Sequence, residues 1–171
     1  PGVPVLFSRR DNGQPVLRVG QYGQPFWYFK FRSMRPQTDS LRYTDLKDLN
    51  FRQGPLIKIK NDPRVTPVGR FIRRFSLDEL PELFLVLWGK MSLVGPRPHL
   101  PEEVAQYQKG YQRLFLVKPG ITGLAQVSGR SDLDFDQEAR LDLTYIENWS
   151  LLYDIIILLK TPWVALRGVK G

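Results

Sequence analysis

The run RRFSLDELPELFLVLWGKMSLVGPRP, residues 73–98, sets two adjacent carboxylates, Asp78 and Glu79, between arginines. Ser76 followed three residues later by Glu79 has the spacing of a capping box, and Pro81 stands where a helix still tolerates a missing N–H. The reading predicts a helix beginning at or near Ser76. Leu80, Leu83, Phe84 and Leu87 then recur at three- and four-residue steps, which predicts an apolar face turned inward. At such a helix mouth the macrodipole and the arginines would favour ionised acids and lower their pKa. Ionised carboxylates among arginines suit a nucleophile, or a ligand for a hard cation such as Mg2+, and both uses point to phosphoryl chemistry. A capping box with helix-end salt bridges explains the same residues without any function. Downstream, Arg97 is held between Pro96 and Pro98, which restricts the backbone around a guanidinium suited to bidentate phosphate recognition.

The rest of the chain bounds these options. Its 171 residues, 42% hydrophobic, support one domain over residues 1–171. There is no cysteine and a single histidine, His99, which argues against zinc and excludes disulfides. Lysine and arginine outnumber aspartate and glutamate by 25 to 17, a formal charge of +8 that implies an anionic partner. Residues 149–166, WSLLYDIIILLKTPWVAL, are the most apolar part, but Asp154, Lys160 and Pro162 interrupt them and the run is too short to span a bilayer. Tryptophans and lysines beside aliphatic residues fit an interfacial helix; a core helix of the domain fits equally.

Strands are expected at residues 3–7, 16–19 and 26–31, separated by Asp-Asn-Gly and Gln-Tyr-Gly turn signals, as a small antiparallel sheet. KFRSMR at residues 30–35 places basic side chains on an extended stretch. Residues 38–49 read as a short polar helix, residues 56–59 as a strand, and residues 68–74 as a basic helical turn. Residues 101–116 read as one helix. Residues 117–132, VKPGITGLAQVSGRSD, are glycine-rich and end on Arg130 and its neighbours, without P-loop spacing. Residues 134–149 form an amphipathic helix in which Asp142, among apolar neighbours, calls for a partner, with an arginine the expected one. The fold class expected is α+β: a compact, mainly helical single domain with a small antiparallel sheet near the N-terminus and an amphipathic membrane-interface helix near the C-terminus.

Five blocks in order, KFRSM (30–34), SLDELPEL (76–83), MSLVGPRP (91–98), KPGITGLAQVSGR (118–130) and LDLTYIENWS (141–150), make the chain resemble the bacterial sugar transferases, the monotopic polyprenyl-phosphate phosphoglycosyl transferases. The resemblance implies transfer of a phosphosugar from a UDP-sugar to undecaprenyl phosphate at the cytoplasmic face of the bacterial inner membrane, with release of UMP. It implies that Asp78 is the nucleophile, that Glu79 binds Mg2+, that Lys30, Arg73 and Arg97 neutralise phosphate, and that Arg130 and Asp142 lie near the nucleotide end. The aromatics cluster in apolar segments and no recognised DNA- or RNA-binding motif occurs, so no nucleic-acid partner is expected, and homo-oligomerisation is left open. The family's membrane-inserted helix has no counterpart before the first strand, so the chain is expected to be the catalytic core of a longer protein. Residues 9–23 are longer than the family's usual turn, and Lys90 stands where an acid is common. The competing expectation is a non-catalytic module that binds nucleotide-sugars or anionic membrane.

Overall fold

The structure is a computed structural model that describes residues 7–51, 54–129 and 133–166; of the strand expected at residues 3–7 only Phe7 lies inside that range, and Arg130 lies outside it. Strands β1 (Val16–Val19) and β2 (Pro25–Tyr28) pair antiparallel, with Val16 opposite Tyr28 and Val19 opposite Pro25. Period-two patterning is visible in β2: Phe26 and Tyr28 are buried while Pro25 and Trp27 face out. Single bridges join Phe7 to Phe31 and Arg9 to Pro15.

The polar helix expected at residues 38–49 is two 3-10 turns, Ser40–Tyr43 and Lys47–Leu49. The first is anchored from outside, by the Asp11 carboxylate accepting the N–H groups of Asp39 and Ser40 at 2.8 and 2.9 Å. The strand expected at residues 56–59 is reduced to one bridge, Asn50 to Ile59, because Asn61 takes a left-handed φ of 52° and turns the chain into the buried Asp62–Arg64 ion pair.

Helix α1 (Pro67–Arg74) begins where the sequence supplies both start signals. Thr66 Oγ1 accepts the Gly69 N–H at 2.9 Å, and Pro67 occupies the first position. A Cβ on Gly69 would stand 1.9 Å from the Ser33 carbonyl oxygen, which also accepts the Thr66 N–H at 3.0 Å. Only glycine lets α1 lie this close to the KFRSM run.

Helix α2 (Glu82–Leu87) starts six residues later than expected, and its burial is the reverse of the expected face. Ser76 has φ 55° and ψ 22°, a left-handed conformation, and its side chain makes no capping hydrogen bond. A 3-10 turn, Leu77–Glu79, follows, so Asp78 and Glu79 precede the α-helix. Pro81, Glu82 and Leu85 are buried, whereas Leu80, Leu83, Phe84 and Leu87 are 49, 45, 59 and 80% exposed. The cause is the turn at Ser76, which re-phases the segment and turns Glu82 and Leu85 toward the interior.

Strand β3 (Ser92–Val94) and strand β4 (Gly120–Thr122) pair parallel, Ser92 opposite Gly120 and Val94 opposite Thr122. This second sheet joins the SLVGPRP and KPGITG runs, and a Cβ on Gly120 would meet the Gly95 nitrogen at 2.1 Å. The helix expected at residues 101–116 is split into α3 (Pro101–Val104) and a 3-10 helix, Lys109–Leu116. Between and within them Tyr107 and Tyr111 turn in to pack on Phe135, at ring separations of 4.7 and 5.3 Å. Helix α4 (Leu124–Ser128) leads to α5 (Phe135–Glu147), capped by a reciprocal Asp134–Gln137 box, and to α6 (Leu151–Leu166).

Three buried clusters hold these pieces together: Phe26, Tyr28, Leu85 and Met91 beneath β2; Leu56, Leu114, Phe135 and Ala139; and Val94, Tyr145 and Ile157. The last seats α6 through a single line of residues. Its other faces leave Leu151, Leu152, Ile155, Leu159, Trp163 and Leu166 in the open, so α6 is not a core helix. No helix among the described residues is long and apolar enough to cross a membrane.

Candidate active site

The turn after Ser76 brings the carboxylate pair against the extended run that follows β2. The Phe31 N–H donates to the Asp78 carbonyl at 2.8 Å, which fixes the backbone of the turn on the KFRSM segment. Asp78 is 6% exposed. Burial raises its pKa above the ordinary carboxylate value, and Glu79 adds to that, against Lys30, Arg73 and Arg97, which lower it. The expectation of a lowered pKa is therefore corrected. No α-helix begins at Ser76 to supply a dipole, and desolvation outweighs the cations.

Lys30 is pushed down to about 8, first by burial and then by the charges of Arg73 and Arg18, with Asp78 pulling the other way. Glu79 reaches across to the proline-bounded loop. Its Oε1 accepts from an Arg97 terminal nitrogen at 2.8 Å, and this contact is the largest influence holding Arg97 protonated. The proline-bounded arginine thus meets an acid from 18 residues upstream, and Lys30, Asp78, Glu79 and Arg97 form one cluster of alternating charge. Arg73 contributes through its charge from the last turn of α1.

The charge state of Lys30 has opposite consequences for activity and stability. A site that needs the ammonium should lose activity as pH rises through about 8. Stability moves the other way: the unfolded lysine, at its ordinary pKa near 10.5, binds the proton that the folded one has lost, so this group's contribution improves between about 8 and 10.5. Paired pH profiles of turnover and of thermal midpoint, compared with those of Lys30→Met, check both signs; the variant should flatten each.

Asp142 sits elsewhere. It is 2% exposed, and burial, then Glu138, holds its pKa well above the ordinary value. Among the described residues no arginine guanidinium pairs with it: the N–H groups of Ala125 and Arg97 donate to the carboxyl, and Oδ1 has no hydrogen-bond partner. Asp142 thereby ties α5 to the loop that carries Arg97. It also lines a small cavity with Arg97, His99, Tyr107 and Glu138. Asp142→Asn should cost less than Asp142→Ala, because the amide keeps the volume and an acceptor for the Ala125 and Arg97 N–H groups, whereas Asp142→Ala should cost about 1–3 kcal/mol by stranding those two buried groups. Thermal melts of both variants decide it.

The sequence reading missed one residue here. Glu82 is 2% exposed, accepts the Tyr28 hydroxyl, and is raised to about 8 by burial and then by Glu79. Its only signal was an acid in the middle of an apolar run.

Mg2+ can be tested against the donor set. No group of three or more His, Cys, Asp or Glu side chains that could hold a metal occurs among the described residues. Mg2+ does not need such a cage: it is commonly held by one or two carboxylates, with substrate phosphates and water completing the shell. Glu79 and the adjacent Asp78 are compatible with that arrangement, with Glu79 Oε1 already engaged by Arg97.

A family profile described as bacterial sugar transferase matches residues 3–168. The chain belongs to the bacterial sugar transferase family. Among the family's curated members it is 47% identical over 169 residues to the undecaprenyl-phosphate galactose phosphotransferase of Salmonella typhimurium, covering 92% of this chain and 34% of that protein. It is 45% identical over 172 residues to the undecaprenyl-phosphate glucose phosphotransferase of Komagataeibacter xylinus, covering 92% and 30%. With the exopolysaccharide production protein ExoY of Rhizobium meliloti it shares 41% over 161 residues, 88% of this chain and 69% of ExoY. The chain thus spans about a third of the length of the larger bacterial sugar transferases it matches.

Proposed function

We propose that this chain is the catalytic core of a phosphoglycosyl transferase that moves a phosphosugar from a UDP-sugar to a polyprenyl phosphate. The observation that carries the reading is the buried Asp78 beside Lys30, with Glu79 clamped to Arg97, in a chain of this family. In the first step an Asp78 carboxylate oxygen attacks the phosphorus that bears the sugar. The bond from that phosphorus to the bridging oxygen breaks and UMP leaves with the electron pair. In the second, an oxygen of the polyprenyl phosphate attacks the same phosphorus and Asp78 departs as carboxylate, leaving a polyprenyl diphosphosugar.

Each neighbour has a part in those steps. Desolvation makes the Asp78 carboxylate more basic, hence a stronger nucleophile, while Lys30 and Arg73 oppose its protonation. Lys30, Arg73 and Arg97 would screen the charge gathering on the phosphoryl oxygens. Mg2+ held at Glu79 would neutralise the donor's diphosphate. The nucleotide end is assigned, by the family's pattern alone, to Arg130 and Asp142.

The lipid acceptor fits the outer surface of the molecule. Val68 and Phe71 on α1, Leu83, Phe84, Leu87 and Trp88 around α2, and the outer faces of α6 are exposed. Exposed apolar area on this scale marks an interaction surface, and the exposed Trp88 and Trp163, with Arg70, Arg73 and Arg74 on α1 and Lys160 on α6, suit a headgroup layer. We place this face on the cytoplasmic surface of the bacterial inner membrane.

The test is UMP release by this chain from UDP-galactose and UDP-glucose, with undecaprenyl phosphate and Mg2+. Release that requires the lipid phosphate for continued turnover is expected. Donor binding without UMP release would instead mark a non-catalytic nucleotide-sugar module.

A further inference from the structure

We propose that the Tyr28–Glu82 hydrogen bond sets the acidic turn on β2, which makes Glu82 a positioning residue for Asp78 and Glu79. The inference rests on the reaction proposed above. Glu82 is the first residue of α2 and three residues past Glu79, and its side chain is closed off from solvent beside the Phe26–Tyr28–Leu85–Met91 cluster. At such a position a leucine would avoid the desolvation cost of a carboxyl group. What a leucine lacks is direction. The Tyr28 hydroxyl donates to Glu82 Oε1, and Tyr28 is itself fixed by its ladder position opposite Val16 and by the Arg18 guanidinium 5.2 Å from its ring centre.

The next residues of the same extended run grip the same turn. Lys30, two residues beyond Tyr28, acts by charge on Asp78, and the Phe31 N–H holds the Asp78 carbonyl at 2.8 Å. Residues 28, 30 and 31 therefore engage residues 82, 78 and 78 in turn, and the Glu82 contact is the only one of the three that pins the start of α2. Loss of it would release the start of α2 from β2 and leave the extended run's grip on the turn at Asp78 alone. Glu79 lies between the two grips and carries the Arg97 pair at 2.8 Å, so a shift of the turn would displace the acid and the guanidinium together. The charged groups acting on Glu82 are Glu79, Arg97 and Lys30, with Tyr28 as its hydrogen-bond donor.

The test measures kcat and donor KM for UMP release by the full chain carrying Tyr28→Phe, Glu82→Leu, both together, or Glu82→Gln, with thermal melts reporting folding. Misplacement of a reacting group by about 1 Å costs about 100-fold, so Tyr28→Phe and Glu82→Leu should each lower kcat by about 10- to 100-fold while KM stays within about threefold. The double variant should be no slower than the slower single one, because both remove the same contact. Glu82→Gln, whose amide oxygen still accepts from Tyr28, should keep at least about a third of wild-type kcat. If Glu82→Leu does not fold, Tyr28→Phe and Glu82→Gln decide alone. A folded Glu82→Gln as slow as Tyr28→Phe, multiplicative losses in the double variant, or wild-type kcat in Tyr28→Phe would overturn the proposal. A wild-type chain that releases no UMP would overturn the reaction itself, a result distinct from all of these.

Discussion

Asp78→Asn is expected to reduce UMP release by at least about 1,000-fold, as removal of a nucleophile from a covalent mechanism does elsewhere. Asparagine is nearly isosteric, so the Phe31 N–H to residue 78 carbonyl bond and the fit against Lys30 should survive, and thermal stability should fall little. It should rise if anything: burial raises the Asp78 pKa, so ionising this group costs more in the folded chain than in the unfolded one. The sign follows from linkage: a carboxyl with a raised folded pKa favours folding at low pH and opposes it as pH rises through the unfolded and then the folded value. A variant that turns over at the wild-type rate would remove Asp78 from the chemistry. Glu79→Gln should behave differently, weakening Mg2+ dependence and the Arg97 contact together.

Arg97→Ala is the second large effect. The guanidinium is held by Glu79 on one side, and its own backbone N–H is held by Asp142 on the other. In the proposed reaction its removal takes a fixed cation from the place where phosphoryl charge would gather, and it also removes the guanidinium that Glu79 Oε1 accepts from. Loss of one preorganised electrostatic donor typically costs about 100- to 1,000-fold in kcat, and a reduction of that size is expected here. Arg97→Lys should recover only a small part of it, because an ammonium cannot reproduce the directional fork that meets both Glu79 and phosphate oxygens. Steady-state UMP release by the three proteins checks this; equal rates for lysine and alanine variants would still agree, whereas near wild-type rates in the alanine variant would exclude Arg97 from the site.

Much of this arrangement could be read from residues alone, for identifiable reasons. The bounds of β1 follow from its branched residues between turn signals. Helix α5 follows from its apolar spacing, and α1 from basic and apolar residues after Thr66-Pro67. The membership of Asp78, Glu79, Lys30 and Arg97 in one cluster followed from ordered blocks rather than from any local rule. Local rules failed where tertiary contacts decide. Ser76 has capping-box spacing yet adopts φ 55°, because the chain turns there to lay Asp78 on Phe31. The leucine stripe of the same segment suggested a buried face, but periodicity gives only that a face exists, not which medium it meets; a face left outward reads the same as one turned in. The Asp78 pKa was misjudged for the same reason, since burial cannot be read from a carboxylate's sequence neighbours. Strands β3 and β4 are three residues each and pair in parallel through a glycine contact, too short for an alternating pattern to register.

The central claim is that Asp78 forms a bond to phosphorus. Incubating the chain with a UDP-sugar and Mg2+ in the absence of lipid phosphate, then measuring intact mass and mapping the modified peptide, tests it most directly. The account predicts one phosphosugar added per chain, on Asp78, formed with one equivalent of UMP and discharged when undecaprenyl phosphate is supplied. UMP release that begins only when the lipid phosphate is present, with no modified chain at any time, would contradict it.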